Sequence, residues 1–341
     1  MSARRFLVPP PDGPLERAPA PSFSIVVAAY QAADVIGDAL ESALAQTRPA
    51  QEVIVCDDGS TDDLETALDP FRDRIVLLRK KNGGEASAKN AGTRGATGDF
   101  VVFLDADDVF LPERLAALAE LASARPDLDV LTTDAVLEVD GKPVRRCYTD
   151  QLPFEIEDQR AAILERNFVF GLAAVRRSKL LAAGGFDEHI RWATDWDLWI
   201  RLVLSGSRIG LVEKALARYR LQAGSLSSQR PRLLAGRIQV LEKSARRHDL
   251  TPRERAVVAR SLFVERRRLA LAEARAALLG ELPGPRRRSL RVAVGRGHSL
   301  QTRMKAAVAA LAPRRAGALL AERGRETTGG IVVSDRSMPE P

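Results

Sequence analysis

The segment GDFVVFLDADDVF, residues 98–110, joins an apolar run directly to three acids, Asp105, Asp107 and Asp108. A short continuous apolar run is typical of a strand buried on both faces of a parallel sheet. Clustered carboxylates repel one another and raise each other's pKa unless a cation or hydrogen bonds offset their charge. One or two carboxylates, completed by phosphate and water oxygens, favour Mg²⁺ or Mn²⁺ over Zn²⁺. The segment therefore predicts a strand that ends at a divalent metal ion and a phosphorylated ligand.

Strands and helices alternate on both sides of this segment. Upstream, the apolar runs predict strands at FSIVVAAY (23–30), EVIVCDD (52–58) and RIVLLRK (74–80), with helices between them. Downstream, we expect a helix at LPERLAALAELASAR (111–125) and a fifth strand at DVLTTDAVLEV (129–139). This alternation predicts an α/β fold with a mainly parallel sheet and helices on both faces.

Acids also accompany two of the other predicted strands. Asp57 and Asp58 follow the second strand, and Asp134 lies in the fifth. Taken alone, DDGSTDD is equally compatible with a turn before a capped helix, and DADD could cap the helix at 111–125. Because ligands of open parallel sheets bind at the carboxyl ends of the strands, two successive acidic strand ends favour a binding site.

The 341 residues are long enough for one large domain and a smaller part. We predict a disordered, proline-rich tail at 1–21, the α/β domain at 22–228, a basic helical extension at 229–326 and a disordered tail at 327–341. Residues 231–341 carry 24 Lys and Arg against 10 Asp and Glu, whereas the rest carries 28 against 35. This asymmetry indicates an anionic partner, although solvated arginine-rich helix faces would give the same composition.

Composition also argues against several classes of protein. Cys56 and Cys147 are too few for a disulfide framework and lack metal-ligand spacing, which favours a reduced, cytoplasmic setting. No stretch reaches the roughly 20 apolar residues that cross a bilayer. Phe263 is the only aromatic residue of 231–341, so base-stacking platforms are missing and we expect no nucleic-acid partner.

Five segments, in this order, resemble the family 2 glycosyltransferases, which are inverting enzymes with the GT-A fold: SIVVAAY, VIVCDDGSTDD, GGEASAKNAG, VVFLDADD and GGFDE…TDWDLWIRL. The resemblance covers residues 22–228. It implies transfer of a sugar from a nucleotide-diphosphate donor, with UDP as the expected nucleotide, to a hydroxyl of a saccharide or lipid-linked acceptor. It also implies Mn²⁺ or Mg²⁺ as the cofactor.

The resemblance further implies roles for five residues of a nucleotide-sugar site. Tyr30 matches a position whose ring stacks near the nucleobase, and Asp58 matches an aspartate that contacts uracil. Lys89 and Asn90 match the helix that lies beside the nucleotide. Arg220, in the YR pair at 219–220, would pair with phosphate oxygens.

Four acids match the reacting part of the family's site. Asp105 and Asp107 correspond to the DxD pair, the first near the ribose and the metal and the second coordinating the metal. Asp108 would lie where the acceptor approaches, and Asp195 matches the catalytic base. The chemistry agrees, because a single in-line displacement at the anomeric carbon needs one general base and a Lewis acid for the departing diphosphate.

The tryptophans and two departures from the family pattern lie near these motifs. Trp192 and Trp196 would give the sugar on the acceptor side an aromatic platform, whereas we expect Trp199 in the core. Thr194 stands in place of the usual Glu before the base. Gln222 stands where many relatives have a His after the YR pair.

Three other functions compete with this interpretation. A catalytically degenerate GT-A scaffold would act as a binding protein, and the basic extension would be the region that binds the partner. A Mg²⁺-dependent phosphatase of the haloacid-dehalogenase type would carry its DxD on the first strand of the domain. A sugar nucleotidyltransferase would need a Gly-rich phosphate loop after the first strand, which AAYQAADV lacks.

Helical spacing in the basic extension places apolar residues opposite arginine clusters such as Arg266–Arg268. The apolar residues are Leu233, Leu234, Ile238, Leu241, Val257, Val258, Leu262 and Leu269. These faces would pack on the catalytic domain or on a second copy of the chain, giving a homodimer. Alternatively, they would lie on an anionic membrane. Lipid-linked acceptors, common in the family, favour the second alternative, a peripheral protein on the inner face of the cell membrane.

Overall fold

The computed structural model describes residues 6–9, 13, 15–221 and 230–327. The chain divides into two compact units, residues 1–220 and 221–341. The expected domain boundary at residues 228–229 and the departure at Gln222 lie outside the described residues, as does the expected tail beyond Thr327. These three expectations stay predictions.

One mixed sheet forms the centre of the first unit. Its ten strands, within the described residues, are β1 (Phe6–Leu7), β2 (Phe23–Ala29), β3 (Glu52–Asp57), β4 (Val76–Arg79), β5 (Phe100–Asp105), β6 (Val109–Phe110), β7 (Val130–Val139), β8 (Lys142–Arg146), β9 (Ala174–Arg176) and β10 (Ile209–Leu221). The order is β1-β10-β7-β9-β5-β2-β3-β4, with β6 on β10 and β8 on β7. Strands β5, β2, β3 and β4 are parallel. Strand β9 is antiparallel to both β5 and β7, so β7 runs in the direction of β5.

Helices connect these strands and lie around the sheet. In the first unit they are α1 (Ile36–Leu44), α2 (Leu64–Leu68), α3 (Glu85–Gly95), α4 (Arg114–Ala124), α5 (Gln159–Glu165), α6 (Arg177–Ala182) and α7 (Thr194–Leu204), with a short 3₁₀ helix at Asp69–Arg74. The five predicted strands and the helices between them occur at the expected places, with ends that differ by a few residues. The predicted α/β class with a mainly parallel sheet is confirmed.

The central strands are buried because their sequences are continuously apolar. The five residues Phe100 to Leu104 of β5 are at most 1% exposed. Full burial of one such side chain stabilises a fold by about 1.5–3 kcal/mol. Burial of β5 therefore fixes the backbone position of Asp105 at the end of the strand.

Helix α3 packs closely on β2 and β3. The close approach depends on Gly92, because a Cβ atom there would collide with Cγ1 of Val26 and lie 3.0 Å from Sγ of Cys56. Only glycine brings the helix backbone this near to the sheet without displacing a neighbour. The contact sets the distance between α3 and the strand ends.

The structure corrects the expectation for Asp134. Strand β7 continues for five residues beyond it, so Asp134 is not at a strand end, and its side chain is 1% exposed. Its carboxylate accepts bonds from Nε of Arg146 at 2.5 Å and from the backbone N–H of Tyr148 at 3.0 Å. Asp134 therefore ties β7 to the segment that follows it and is not part of an acidic strand-end cluster.

Part of the predicted disordered tail at 1–21 is ordered instead. Phe6 and Leu7 form β1, which pairs with Val212 and Leu211 of β10. The backbone N–H of Ala18 donates to the carbonyl oxygen of Ser123 at 3.0 Å. Two apolar residues between arginines and prolines gave no strand signal, because the pairing partner is some 200 residues away in the sequence.

The described part of the second unit is helical. Its helices are α8 (Arg230–Ala245), α9 (Pro252–Leu278), α10 (Pro285–Val294), α11 (Leu300–Leu311) and α12 (Pro313–Thr327). Thr251 and Glu254 form a capping box at the start of α9, with Pro252 in the first turn. The expected helical extension is confirmed for residues 230–327.

The apolar faces expected on this extension are partly covered, since three of the eight named residues are buried and five are half-buried. Helices α8 and α9 pack on each other, and Leu234, Leu241 and Val258 are at most 4% exposed. This outcome supports packing rather than membrane contact for α8 and α9. Among the described residues, no helix is long and apolar enough to cross a bilayer.

Candidate active site

Asp105 ends β5 at the carboxyl edge of the parallel strands, where β3 also ends, at Asp57. The chain turns at once, because the backbone N–H of Asp108 donates to the carbonyl oxygen of Asp105 at 3.0 Å. The side chain of Asp105 is 30% exposed, in contrast to the buried strand before it. The strand therefore delivers a carboxylate to the edge where ligands of such sheets bind.

Lys89 of α3 holds two carboxylates of this edge together. Its Nζ lies 2.7 Å from Oδ1 of Asp105 and 2.5 Å from Oε1 of Glu85, one turn earlier on α3. The Nζ also lies 5.9 Å and 5.8 Å from the ring centroids of Phe103 and Phe186. Burial opposes the charge of Lys89, but the two carboxylates outweigh it and raise the pKa of the lysine. Lys89 is thus a permanent internal cation.

Asp107 carries more negative charge than its surroundings offset. Its partial burial, and next the charge of Asp105, raise the pKa of the Asp107 carboxyl to about 6. Lys89 only partly counters this rise, and Glu85 adds to it. A nearby cation would lower that pKa again.

The donor set fits the expected metal ion. Within the part of the chain that the structure describes, no group of three or more His, Cys, Asp or Glu side chains could hold a metal. Asp105 and Asp107 would therefore supply at most two ligands, with the others from phosphate and water oxygens. Mg²⁺ is commonly bound in this way, and the excess charge at Asp107 favours a divalent cation there.

Asp195 is the second residue of α7 and is half-buried. Its Oδ2 accepts a bond from Nδ2 of Asn167 at 2.9 Å, and its Oδ1 accepts the backbone N–H of Trp196 at 2.8 Å. Burial, then the charges of Asp105 and Asp195, raise the pKa of Glu85. Asp195 is therefore within electrostatic range of the cluster formed by Lys89, Glu85 and Asp105. Thr194, the departure from the family's Glu, is buried at 4% exposure.

Two residues expected on the acceptor side, Asp108 and Trp196, are buried. Asp108 is 1% exposed, and its Oδ1 accepts the backbone N–H of Arg220 at 2.7 Å. Trp196 is 1% exposed, and its Nε1 donates to the carbonyl oxygen of Ile163 at 2.6 Å. The expectation that these two side chains contact the acceptor stays a prediction. Trp199 is in the core, as predicted.

Asp58 and Asn90 are engaged by the protein itself. The Asp58 carboxylate accepts bonds from Nζ of Lys80 and from the backbone N–H groups of Gly83 and Gly84, at 2.6–3.1 Å. The Asn90 amide bonds both the N–H and the carbonyl oxygen of Phe186. These contacts fix the loop before α3 and the loop after α6. The expectation that the two side chains contact the nucleotide stays a prediction.

Three further candidates remain at the surface or near it. Tyr30, directly after β2, is 53% exposed. Trp192 is half-buried. Arg220 donates to Asp38 at 2.8 Å and lies 3.4 Å from Glu138, with a side chain 19% exposed. An arginine held between two carboxylates would have to exchange them for phosphate oxygens, so its expected role stays a prediction.

Sequence reasoning missed Glu85 and Asn167. The Glu85–Lys89 spacing of four residues was a signal, because such pairs meet on one helix face. Asn167 gave none, since it is 28 residues away from its partner Asp195 and lies in a segment without regular structure. Both residues complete the set of side chains that orient the acids of the edge.

The sequence of this domain matches a known family. Residues 24–182 match the sequence model of glycosyl transferase family 2. The chain is 33% identical over 223 residues to the succinoglycan biosynthesis protein ExoO of Rhizobium meliloti (strain 1021), an alignment that covers 61% of this chain and 63% of that protein. The chain spans about three fifths of the length of ExoO and of two further curated relatives.

Solved structures share the fold at low sequence identity. TarS 1-349 of S. aureus, in complex with UDP-GlcNAc, has a TM-score of 0.57 at 19% identity and covers 84% of this chain and 91% of its own. The mannosyltransferase PcManGT of Pyrobaculum calidifontis, in complex with GDP-Man and Mn²⁺, has a TM-score of 0.55 at 22% identity and covers 90% of both chains. The predicted GT-A-like fold is confirmed. Residues 24–182 are thus similar in sequence to glycosyl transferase family 2, and the two solved structures share the fold of the chain.

Proposed function

We propose that the chain is an inverting glycosyltransferase that moves a sugar from a nucleotide-diphosphate donor, expected to be UDP-linked, to a hydroxyl acceptor. The observation that carries the proposal is the cluster at the edge of the sheet: Asp105 and Asp107 beside Lys89, with Asp195 within electrostatic range. The family match supports the reaction class. The donor class has support from the UDP-GlcNAc and GDP-Man complexes of the two similar structures.

In this proposal each acid has one task. Asp107 and Asp105 would hold the Mn²⁺ or Mg²⁺ ion, which when bound would supply Lewis-acid stabilisation of the departing diphosphate. Asp195 takes the proton of the acceptor hydroxyl while the acceptor oxygen bonds to the anomeric carbon and the bond to the diphosphate breaks. Asn167 keeps the Asp195 carboxylate in place. Inversion follows because a single displacement forms no covalent intermediate.

The remaining donor and acceptor contacts belong to the same proposal. The exposed ring of Tyr30 would stack near the nucleobase, with Asp58 at the uracil. Arg220 would pair with phosphate oxygens, and Trp192 would contact the sugar on the acceptor side. The intact acids argue against the degenerate binding scaffold, and the family match is to glycosyl transferases rather than to phosphatases or nucleotidyltransferases.

We further propose a saccharide or lipid-linked acceptor, in polysaccharide or glycolipid synthesis at the inner face of the cell membrane. The naming of ExoO for succinoglycan biosynthesis supports polysaccharide synthesis. A lipid-linked acceptor would be presented at an anionic surface, which would attract the basic second unit. A homodimer through that unit is the competing arrangement.

Titration calorimetry with UDP tests the donor site without knowledge of the acceptor. The wild-type protein should bind UDP in the presence of Mn²⁺ and much more weakly without it. Asp107→Ala should lose the metal-dependent part of the binding. The exposed Asp69→Ala, whose carboxylate pairs with Arg72, is the matched control and should bind as the wild type does. Equal binding by Asp107→Ala and Asp69→Ala would contradict the assigned metal site.

A further inference from the structure

Helices α10 and α11 expose large apolar side chains that no part of the described chain covers. The set, called here the α10–α11 apolar face, consists of Leu290, Val294, Leu300, Met304, Val308 and Leu311. Their exposed fractions run from 54% for Leu290 to 81% for Leu311. Several large exposed apolar side chains close together in the sequence indicate an interaction site, whereas single exposed apolar residues are ordinary.

Helical geometry puts the four residues of α11 on one side. At 3.6 residues per turn, Leu300, Met304, Val308 and Leu311 fall within an arc of about 80°. The buried Ala309 lies on the opposite side, which is the side that packs inward. In α10, Leu290 and Val294 are likewise turned away from the buried Ser289 and Val292. Each helix therefore has a buried face and a separate exposed apolar face.

Cations flank these faces, and acids are absent from the segment. Residues 285–316 contain nine Lys and Arg and no Asp or Glu. On α11, Arg303 and Lys305 lie on the two sides of the apolar arc, and both are exposed. Arg288 and Arg291 lie 4.0 Å and 3.8 Å from Glu273 of α9, so a small part of the charge is offset inside the unit.

We propose that the α10–α11 apolar face docks on an anionic lipid bilayer, with both helices in the plane of the interface. Apolar side chains would enter the acyl boundary while the flanking cations meet lipid phosphates, the arrangement of interfacial amphipathic helices. A second copy of the chain fits this surface poorly, because it would bring two acid-free cationic segments together. The inference deepens the proposed membrane location and rests on it, and it moves the contact from α8 and α9 to α10 and α11.

Vesicle flotation with the full chain tests this surface. Wild-type protein should float with vesicles of phosphatidylcholine and phosphatidylglycerol at low salt, and should be released by high salt or by vesicles of phosphatidylcholine alone. Met304→Glu combined with Val308→Glu should abolish flotation, because both side chains are more than 60% exposed and their loss leaves the core intact. Arg303→Gln combined with Lys305→Gln should weaken binding about thirtyfold.

Leu181→Glu is the matched control, since Leu181 is 41% exposed on α6 of the first unit. It should float as the wild type does, and circular dichroism should show an unchanged helix content for every variant. The assay contains no sugar donor, so its result is independent of transferase activity. Two outcomes overturn the proposal: wild-type protein that ignores anionic vesicles, or a wild-type dimer that Met304→Glu with Val308→Glu converts to a monomer without any vesicle binding.

Discussion

Lys89 is placed where one cation keeps two carboxylates from repelling each other. Its loss would leave Glu85 and Asp105 facing one another, although both are partly exposed and water would relieve some of the repulsion. We expect Lys89→Met to lower the free energy of unfolding by about 2–3 kcal/mol. Urea denaturation measures this change.

Lys214→Met is the control for that measurement. The Lys214–Glu113 pair, at 3.2 Å, has both side chains more than half exposed. Such surface pairs contribute about 0–1 kcal/mol. Equal, small effects of the two substitutions would show that Lys89 is not the cation on which the cluster depends.

Asp107 makes a prediction with a defined sign. Because its pKa is raised to about 6, the folded protein binds the proton of Asp107 more tightly than the unfolded chain does. The contribution of this group to stability therefore falls as pH rises from about 4 to about 6. In metal-free protein, Asp107→Asn should raise the free energy of unfolding by about 1–2 kcal/mol at pH about 8 and change it little at pH about 4.

Thermal unfolding with and without Mn²⁺ extends this measurement. The metal ion should stabilise the wild type at pH about 8, since it binds the folded state only. It should not stabilise Asp107→Asn. If Asp107→Asn raised the free energy of unfolding of the metal-free protein equally at pH about 8 and at pH about 4, the charge of Asp107 would already be offset within the protein.

The position of a residue could be predicted from the sequence where the surrounding pattern is compatible with only one kind of secondary structure. Asp105 follows a fully apolar strand, so its place at the sheet edge was foreseeable. The burial of Asp108 and Trp196 was not foreseeable, because the direction of a side chain in a turn, or on a helix apolar on several sides, depends on tertiary packing. Nothing in DADD distinguishes the acid that turns inward to the backbone N–H of Arg220.

At the scale of elements, the contact between α3 and the sheet governs the position of Lys89. Gly92→Ala would press a methyl group against Val26 and Cys56. Overpacking of this kind costs about 1–3 kcal/mol, even though alanine favours a helix over glycine. Urea denaturation should therefore show a destabilised protein.

Gly37→Ala in α1 is the matched control, because a Cβ atom there meets nothing within 4 Å. It should stabilise the protein by about 0.5–1 kcal/mol through the helix propensity alone. Stabilisation by both substitutions would mean that α3 moves away from the sheet without cost. A lower affinity for UDP in Gly92→Ala, at unchanged affinity in Gly37→Ala, would link the contact to the site.

Elements of the first unit were easier to predict than those of the second. A buried parallel strand needs a continuous apolar run, and such runs are short and unambiguous in β2, β3 and β5. The helices α8 to α12 were foreseeable as helices, but the choice of which apolar face is covered was not. Leu234 and Val258 are buried while Leu300 and Leu311 are exposed, a difference that depends on which helices pack together.

The whole molecule joins an acid-leaning α/β unit to a strongly basic helical one. This separation suits a transferase whose donor chemistry takes place in one unit and whose attachment to an anionic surface takes place in the other. The two proposals can fail separately, since the acids of the sheet edge and the exposed face of α10 and α11 share no residue.

Release of nucleoside diphosphate from UDP-, GDP- and dTDP-sugars with Mn²⁺ tests the central claim most directly. The wild type should turn over at least one donor. Asp195→Asn should bind that donor with unchanged affinity and react about 10²–10⁴ times more slowly, because the amide keeps the shape and removes the base. Turnover by Asp195→Asn at the wild-type rate, or a wild type that neither binds nor cleaves any of the donors, would contradict the account.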